Sequence, residues 1–428
     1  MRTDGGERRN HRLPALAHRD FRVLWLGMVF ASGTIAFQYY AQIWLIYSLT
    51  GSALLLGVLG AARGAGMLLA ATWGGVLADR MDRRTLLMLI EASTLVLSAT
   101  LALLAISGQI ELWLAFLLIF LASGVQSIEI PVRHALIPDL VGREDIPNAV
   151  ALTTAAQMGS FAFFPVIAGF VIDALEPGGA YAVSTAGNII GIGVLLALRY
   201  RGRPGQAQQE SMLRSVRRGL AYARRDPAIS SVIVVMFTMG GLGFAIYTSL
   251  IGKWASEELA LTPGQYGILA CVWGVGTLIV AYALAFAGDF RHRGKAFVIG
   301  AAAFGPSLLL FSLTRSLPVA GIAYLINGAA WTAAGISAAS IVQLTVPNEV
   351  RGRVMSVFSL YFAFSQINGA TLGATASAVG LETLMVGTTS LCTIVVLVLI
   401  LAVPGLRQLA RDKALGRAEI GVVQEELR

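Results

Sequence analysis

The sequence predicts an all-α membrane protein with twelve transmembrane helices in two pseudo-symmetric halves of six. Hydrophobic residues make up 56% of the 428 residues, charged residues only 13%, and the mean hydropathy is +0.72. This composition lies outside the range of soluble globular domains. Long apolar runs recur from Phe21 to near Arg407, and one charged motif occurs in both halves of the chain. Together these features indicate a duplicated bundle of membrane-spanning helices.

A crossing needs about 20 apolar residues, and this length sets the spans along the chain. The predicted spans are residues 21–48, 53–78, 85–107, 112–130, 148–174, 180–198, 229–252, 264–287, 296–313, 318–346, 354–380 and 382–404. The first run is too long for the core of a signal peptide, so we expect it to be retained. The resulting organisation is a tail (1–20), a first half (21–198), a central loop (199–228), a second half (229–404) and a second tail (405–428).

The basic residues predict the orientation of the bundle. Outside the spans, Lys and Arg occupy one set of alternate loops and both tails, and only Lys253 and Arg315 fall on the opposite side. Because cytoplasmic loops collect positive charge, both termini are expected in the cytoplasm of a multi-pass protein of the bacterial inner membrane. The net charge of +8 is spread over these loops rather than gathered in one patch, which argues against nucleic acid as a partner.

The central loop is the longest polar connection between spans. Within it, residues 212–224 set Leu213, Val216 and Leu220 at helical spacing against arginines. This pattern favours a surface helix lying on the anionic inner leaflet of the lipid bilayer; a flexible linker is the alternative.

Two motifs recur at nearly the same offset. Asp289, in a charged turn after an apolar run, follows Asp79 by 210 positions, and Pro347 follows Pro138 by 209. A parallel repeat of two six-helix halves is a known transporter plan, and it places a substrate between the halves near the middle of the membrane.

The first of these turns resembles the signature loop of the major facilitator superfamily, in which Gly, three residues, Asp, Arg, one residue, Gly, Arg and Arg follow one another. Asp82 departs from the pattern, because it stands where the family has glycine. The resemblance implies that the charged loops gate the transporter, and a pair between Asp79 and Arg133 is the expected latch. The candidate gating residues are Gly75, Asp79, Arg80, Arg83, Arg84, Arg133, Asp289, Arg291 and Arg293.

Within the superfamily, four segments resemble the branch that holds enterobactin exporters and macrolide efflux pumps. They are residues 44–52, 135–141, 222–227 and 351–356. The resemblance implies alternating access and export coupled to proton entry. The antiporter signature of the fifth span is partly present, at Ser160, Pro165, Ala168 and Gly169, but Phe164 replaces a glycine.

Four charged residues, Arg63, Glu91, Glu129 and Asp173, lie inside the spans beyond their first residues, where charge is costly and each is a functional hypothesis. Arg63 lies near the middle of its span and is a candidate for contact with an anion or substrate, or for coupling. Alternatively, it forms a structural ion pair, with Asp173 or Glu91 as candidate partners, or a polar bond between helices. Glu91 and Glu129 are candidate proton carriers; alternatively, they belong to an ion-pair network with nearby arginines.

Polar residues on the predicted cavity walls suit an amphipathic, mostly apolar solute. These candidates are Gln38, Gln42, Gln126, Asn327, Trp331, Gln366 and Asn368. Each could instead make hydrogen bonds between helices.

No phosphate-binding loop occurs, since Gly252-Lys253 and Gly294-Lys295 precede Trp and Ala, so energy is expected from an ion gradient. The spans carry no histidine, and Cys271 and Cys392 predict neither a disulfide nor a metal cluster. We therefore expect no enzymatic activity, no cofactor and no metal.

The leading hypothesis is a monomeric, proton-coupled exporter of an amphipathic molecule such as a macrolide-like drug or a siderophore. The alternatives are a lysolipid or metabolite carrier without proton coupling, and a sensor that does not transport. An open central cavity lined by Gln38, Gln126 and Asn327 would oppose the sensor.

Overall fold

The computed structural model describes residues 14–142, 144–200, 212–286 and 292–410, with only the main chain for residues 71–80, 212–215, 348–349 and 408–410. After a 3-10 turn at Pro14–Ala17, the first half consists of five helices. They are α1 (Arg19–Thr50), α2 (Ala53–Arg80), α3 (Arg83–Ile106), α4 (Leu112–Leu140) and α5 (Ile146–Ala197). Gly51 ends α1 in the left-handed conformation (φ 59°), which costs glycine little, and its N–H bonds the carbonyl of Tyr47.

Helix α5 is 52 residues long and crosses the bundle twice. Glu176 interrupts it with φ 59° and ψ 173°, and Pro177 follows. Proline cannot continue the hydrogen-bond ladder, so the helix bends there into arms of residues 146–175 and 177–197. The break predicted between residues 174 and 180 is confirmed.

The second half begins after a short helix, α6 (Met212–Ala223), which confirms the helix predicted in the central loop. The seventh span is divided among three elements, and seven further helices complete the chain. These elements are α7 (Pro227–Thr238), a π-helix (Met239–Phe244), α8 (Ala245–Ser249), α9 (Ile251–Glu258), α10 (Pro263–Phe286), α11 (Arg293–Leu313), α12 (Leu317–Thr345), α13 (Asn348–Val379), α14 (Leu381–Ala402) and α15 (Pro404–Ala410). Asp226 caps α7 by accepting hydrogen bonds from the N–H groups of Ala228 and Ile229.

In the described part of the chain, ten helical stretches are long and apolar enough to cross a membrane, with α5 counted once and α7 to α8 counted together. The second arm of α5 and helix α13 bring the crossings to twelve, as predicted. Most predicted boundaries lie within three residues of the observed ones. Two were wrong: α4 continues ten residues past residue 130, and α13 begins six residues before residue 354.

The halves meet closely at one end of the bundle. We call the end where α1 begins the terminal face, and the end where α1 finishes the distal face. Near the distal face, α2 packs on α13 and the first arm of α5 packs on α10. A Cβ built on Gly57 would lie 2.2 Å from the carbonyl oxygen of Gly369, and one on Gly267 would lie 2.4 Å from that of Pro165. Small residues therefore let the halves close tightly at the distal face.

The distal contacts also include a charged residue. Lys253 Nζ donates a hydrogen bond to the Gly51 carbonyl oxygen at 2.6 Å and lies 5.4 Å from the ring centre of Tyr47. Lys253 belongs to the second half, while Gly51 and Tyr47 belong to the first. This bond ties the halves together at the distal ends of their helices.

We predict that Gly57→Val opens the distal face without unfolding the protein, because separating the halves removes the clash with Gly369. Spin labels at Leu49 and Leu317, on opposite halves at this face, should move apart by several ångströms; Cys271 and Cys392 are replaced first. Gly321→Val is the matched control, since a Cβ there meets nothing within 4 Å. An unchanged label distance in Gly57→Val would contradict the assignment of this contact as the distal closure.

Candidate functional site

A cavity of about 460 Å³ lies between the halves, on the terminal side of the distal contacts. Both halves line it, and most of its wall is apolar or aromatic. The aromatic lining residues are Tyr39, Tyr40, Phe161, Phe244, Tyr247, Trp273 and Phe362. A volume of this size and apolar character is typical of sites for small organic molecules.

The π-helix shapes the wall of the second half. Its last residue, Phe244, stacks on Trp331 with ring centres 4.3 Å apart and planes inclined by 7°. Asn368 Nδ2 donates to the Gly241 carbonyl oxygen at 2.7 Å and so braces the irregular turn. π-helical turns are uncommon and occur frequently at functional sites.

Three of the predicted cavity residues support the wall instead of lining it. Trp331 lies behind Phe244, and Asn368 holds the π-helix. Asn327 accepts a hydrogen bond from Trp273 Nε1 at 3.1 Å and donates to the Phe304 carbonyl and to Ser307. None of the three is among the described lining residues, so their prediction as lining residues was wrong.

The glutamines predicted for the cavity fall into two groups. Gln42, Gln126 and Gln366 line it. The prediction of Gln38 as a lining residue was also wrong: it lies one layer behind, where its Oε1 accepts from Gln126 Nε2 at 2.5 Å and its Nε2 donates to Ser184. Sequence reasoning missed Gln157, which also lines the cavity.

Arg63 is the charged group of the cavity wall. Its side chain is buried, with 3% of its surface exposed. Nε donates to Oε1 of Gln42 at 2.6 Å, Nη2 donates to the Tyr39 carbonyl at 3.1 Å, and the guanidinium carbon lies 4.0 Å from the Tyr39 ring centre. Neither predicted carboxylate partner is bonded to it, because Glu91 pairs with Arg133 and Asp173 caps a different helix.

Asp173 stands at the distal contact between the halves. Its Oδ2 accepts hydrogen bonds from the main-chain N–H of Gly264 at 2.9 Å and from Thr262 Oγ1 at 3.0 Å. These donors lie in the first turn of α10 and just before it, so the carboxylate satisfies the N-terminus of that helix across the interface.

Arg133 holds two buried carboxylates within the first half. Its Nη2 lies 2.6 Å from Glu91 Oε1, its Nε lies 2.7 Å from Glu129 Oε1, and all three side chains are at most 5% exposed. A Cβ on Gly191 would lie 2.9 Å from Glu91 Oε1, so glycine makes room for that carboxylate. With both carboxylates ionised, this cluster would carry one uncompensated negative charge away from water, which is costly. We call Arg133, Glu91 and Glu129 the Arg133 cluster.

The signature loop joins helices of the first half. Arg83 Nη1 bonds the Ala135 carbonyl and Asp139 Oδ2 at 2.6 and 2.8 Å, and Arg84 bonds carbonyls at the end of the second arm of α5. Asp82, in place of the family glycine, caps α3 by accepting from the N–H of Thr85 at 2.9 Å. The substitution therefore adds a helix cap at the turn.

Other predicted gating residues cannot all be placed. Gly75, Asp79 and Arg80 lie in the final turns of α2, where side chains are not described, so the pair of Asp79 with Arg133 stays a prediction. Arg293 is the first residue of α11. Asp289 and Arg291 lie outside the described residues.

The departure at Phe164 in the fifth span also has a structural reason. A Cβ on Gly33 would lie 2.3 Å from the Phe164 ring, so the ring fills the space that this glycine leaves on α1. Gly169, in the same arm of α5, approaches the carbonyl of Pro263 in the other half. The aromatic ring is therefore packed inside the first half, while the small residue forms the contact between halves.

Sequence reasoning missed Phe244, Tyr247 and Trp273, which supply much of the aromatic wall. Tyr247 and Trp273 stack with ring centres 4.7 Å apart. The available signal was the run Gly240-Gly241-Leu242-Gly243, since such a concentration of glycine in a span marks irregular or closely packed backbone.

Comparison with known proteins supports this description. A family model described as "Transmembrane secretion effector" matches residues 11–420. The chain is 23% identical over 393 residues to the enterobactin exporter EntS of Shigella boydii serotype 4, covering 88% of this chain and 92% of the relative. It is 23% identical over 281 residues to macrolide efflux protein A of Streptococcus pyogenes, covering 64% of this chain and 68% of the relative. A POT family transporter in complex with 5-aminolevulinic acid superposes with a TM-score of 0.74 at 13% identity, covering 91% and 96%.

Proposed function

We propose that this chain, which belongs to the transmembrane secretion effector family of major facilitator transporters, exports an amphipathic small molecule in exchange for protons. It is a multi-pass membrane transporter and not an enzyme. The observation that carries the proposal is the cavity of about 460 Å³ between the halves, with aromatic walls, several amides and one buried cation. Apolar walls provide contact area, and a few polar groups orient the solute.

The named relatives support export as the direction of transport. EntS is an enterobactin exporter, and the streptococcal relative is a macrolide efflux protein. We propose a solute of comparable amphipathic character for this chain. The described cavity disfavours a sensor without a binding site, because residues of both halves line it.

We propose that the terminal face lies in the cytoplasm, because the loops at that face carry the positive charge. A green fluorescent protein fused after Arg428 should then fluoresce, and an alkaline phosphatase fused there should be inactive. Fusions placed after Gly108, in the connection between α3 and α4, should give the opposite result. Active phosphatase at the C-terminus would contradict this orientation.

With that orientation, the distal contacts close the outer side of the cavity, and we propose that the cavity is reached from the cytoplasm. Solute would enter the cavity from the cytoplasm and leave after the distal contacts open and the terminal ends approach. The glycine contacts near Gly57 and Gly267 would separate in this step. Such a rocking motion of two rigid halves is the transition expected for this fold.

Proton exchange is assigned to the Arg133 cluster. Two carboxylates face one guanidinium, so binding one proton neutralises the buried group, and releasing it restores a net negative charge. A buried group that gains or loses one elementary charge can favour one arrangement of the halves over the other. Coupling then follows from alternate exposure of the cluster to the two sides of the membrane.

The test is transport into inside-out membrane vesicles, in which export appears as uptake. A fluorescently labelled macrolide and a radiolabelled catecholate siderophore are supplied outside, with and without an acid interior. We expect accumulation of at least one solute that requires the acid interior. Uptake that is insensitive to the gradient would contradict proton coupling, and the absence of uptake of either solute would contradict the proposed solute class.

A further inference from the structure

The cavity contains a buried cation without a matching anion. Arg63 is 3% exposed, and it is the one charged residue among the described residues that line the cavity. Two of its nitrogens bond neutral acceptors, Gln42 Oε1 and the Tyr39 carbonyl. Among the described residues, no carboxylate lies within 4 Å of the guanidinium.

The third nitrogen of Arg63, Nη1, is a hydrogen-bond donor without a partner among the described residues. This nitrogen is also buried. Leaving a charged donor unpaired in a buried site is costly, and a hydrogen bond to an ionised acceptor is among the strongest that a guanidinium makes. The arrangement is therefore incomplete unless an acceptor enters the cavity.

The neighbours of Arg63 fix its position for such an acceptor. Gln42 and the Tyr39 carbonyl hold Nε and Nη2, and the Tyr39 ring lies 4.0 Å from the guanidinium carbon. Tyr39 Oη in turn donates to the Thr248 carbonyl at 3.0 Å, in the other half. The guanidinium is held by its neighbours before any ligand binds, and this lowers the cost of ordering it.

A second unpaired group lies on the opposite half. Oε1 of Gln366 is buried without a described partner, and Gln366 also lines the cavity. It is an acceptor, so it suits a hydroxyl or amide N–H on the bound molecule. A ligand that carries an anionic group at one end and a hydrogen-bond donor at another would pair with both Arg63 Nη1 and Gln366 Oε1.

The geometry points to an amphipathic organic anion as the substrate class of this transporter, with its anionic group bound by Arg63 and its apolar body held by Phe244, Tyr247 and Trp273. This inference rests on the proposed function and adds the charge of the solute. A carboxylate or a phenolate oxygen accepts from Nη1 and neutralises the guanidinium. A cationic solute is repelled at the same position.

The test compares three fluorescent probes that share one apolar body: pyrenebutyrate, pyrenebutanol and pyrenebutylamine. Binding to the purified full-length transporter in nanodiscs is followed by energy transfer from tryptophan. We expect the carboxylate to bind at least about tenfold more tightly than the alcohol, because the carboxylate forms an ion pair with the guanidinium and the hydroxyl is a neutral acceptor. The amine should bind most weakly.

Variants then assign the preference to Arg63. In Arg63→Gln the carboxylate should bind no more tightly than the alcohol; in Arg63→Lys part of the preference should remain. Competition by lysophosphatidylglycerol and by naphthoate distinguishes a lipid from a soluble acid as the source of the anion, and displacement by either supports the anion site.

Equal binding of the carboxylate and the alcohol by the wild-type protein would overturn this inference while leaving export itself standing. This comparison needs no variant, so it holds even if Arg63→Gln fails to fold. A carboxylate preference that survives in Arg63→Gln would also overturn it. Failure of all three probes to bind would count against both the anion site and the amphipathic cavity of the proposed function.

Discussion

Arg133→Met is expected to destabilise the protein by about 3–5 kcal/mol, the cost typical of removing one partner from a buried ion pair. The substitution leaves Glu91 and Glu129 without the cation that both contact at 2.6–2.7 Å in a site that is at most 5% exposed. Thermal unfolding of the detergent-solubilised variant, followed by binding of a thiol-reactive dye to buried Cys392, measures the loss.

Charge balance, and not the number of bonds, should decide the order of stability. Glu91→Gln leaves one carboxylate against one guanidinium, so we expect it to be at least as stable as wild type. The triple variant Arg133→Met, Glu91→Gln, Glu129→Gln carries no charge and should regain most of the stability lost in Arg133→Met.

The second half offers a matched control on the surface. Arg315 also contacts two glutamates, Glu258 and Glu382, at 2.9 and 2.8 Å, but its side chain is 41% exposed. Because exposed pairs contribute little, Arg315→Met should cost no more than about 1 kcal/mol. Equal losses in Arg133→Met and Arg315→Met would show that the Arg133 cluster is not effectively buried.

The second large effect concerns coupling. In either Glu91→Gln or Glu129→Gln the cluster is neutral without a proton, so transport should no longer require one. Accumulation driven by a potential of 100 mV, up to about fiftyfold for one elementary charge, should fall to that seen without a gradient. Exchange of labelled for unlabelled solute across the same membrane should continue, because that process does not need net proton movement.

Glu382→Gln is the control for this prediction, since it removes a glutamate from an arginine pair at an exposed site. It should accumulate solute like wild type. Gradient-driven accumulation that survives in both Glu91→Gln and Glu129→Gln would exclude the Arg133 cluster as the proton site. Loss of exchange as well as accumulation would indicate a structural role for the cluster.

The helices could be predicted from the sequence because the length of a hydrophobic run is set by bilayer thickness. At the end of α4 the prediction failed because a charged residue is buried there. The predicted fourth span stopped before Pro131, but α4 continues to Leu140, because Arg133 is neutralised by neighbouring glutamates and Leu136 packs in the core. The irregular seventh span was missed because hydropathy does not distinguish a π-helix from an α-helix.

The charged residues of the site could be found from the sequence, but their partners could not. Counting residues along a helix gives the depth of Arg63, yet its rotation about the axis of α2 decides whether it faces Gln42 or Glu91. The same limit applied to Asn327 and Trp331, which lie one layer behind the cavity wall. From the sequence, Glu91 and Glu129 were predicted to be either proton carriers or members of an ion-pair network. In the structure, both carboxylates pair with Arg133.

The most direct test of proton-coupled export is a measurement of the internal pH of proteoliposomes, which are loaded with a pH-sensitive dye. A solute that is known to be transported is added outside while the dye is recorded. The account predicts that entry of the solute raises the internal pH as protons leave, and that Glu91→Gln abolishes this rise while solute still enters. Entry of the solute into wild-type proteoliposomes with no change in internal pH, or with acidification, would contradict proton exchange.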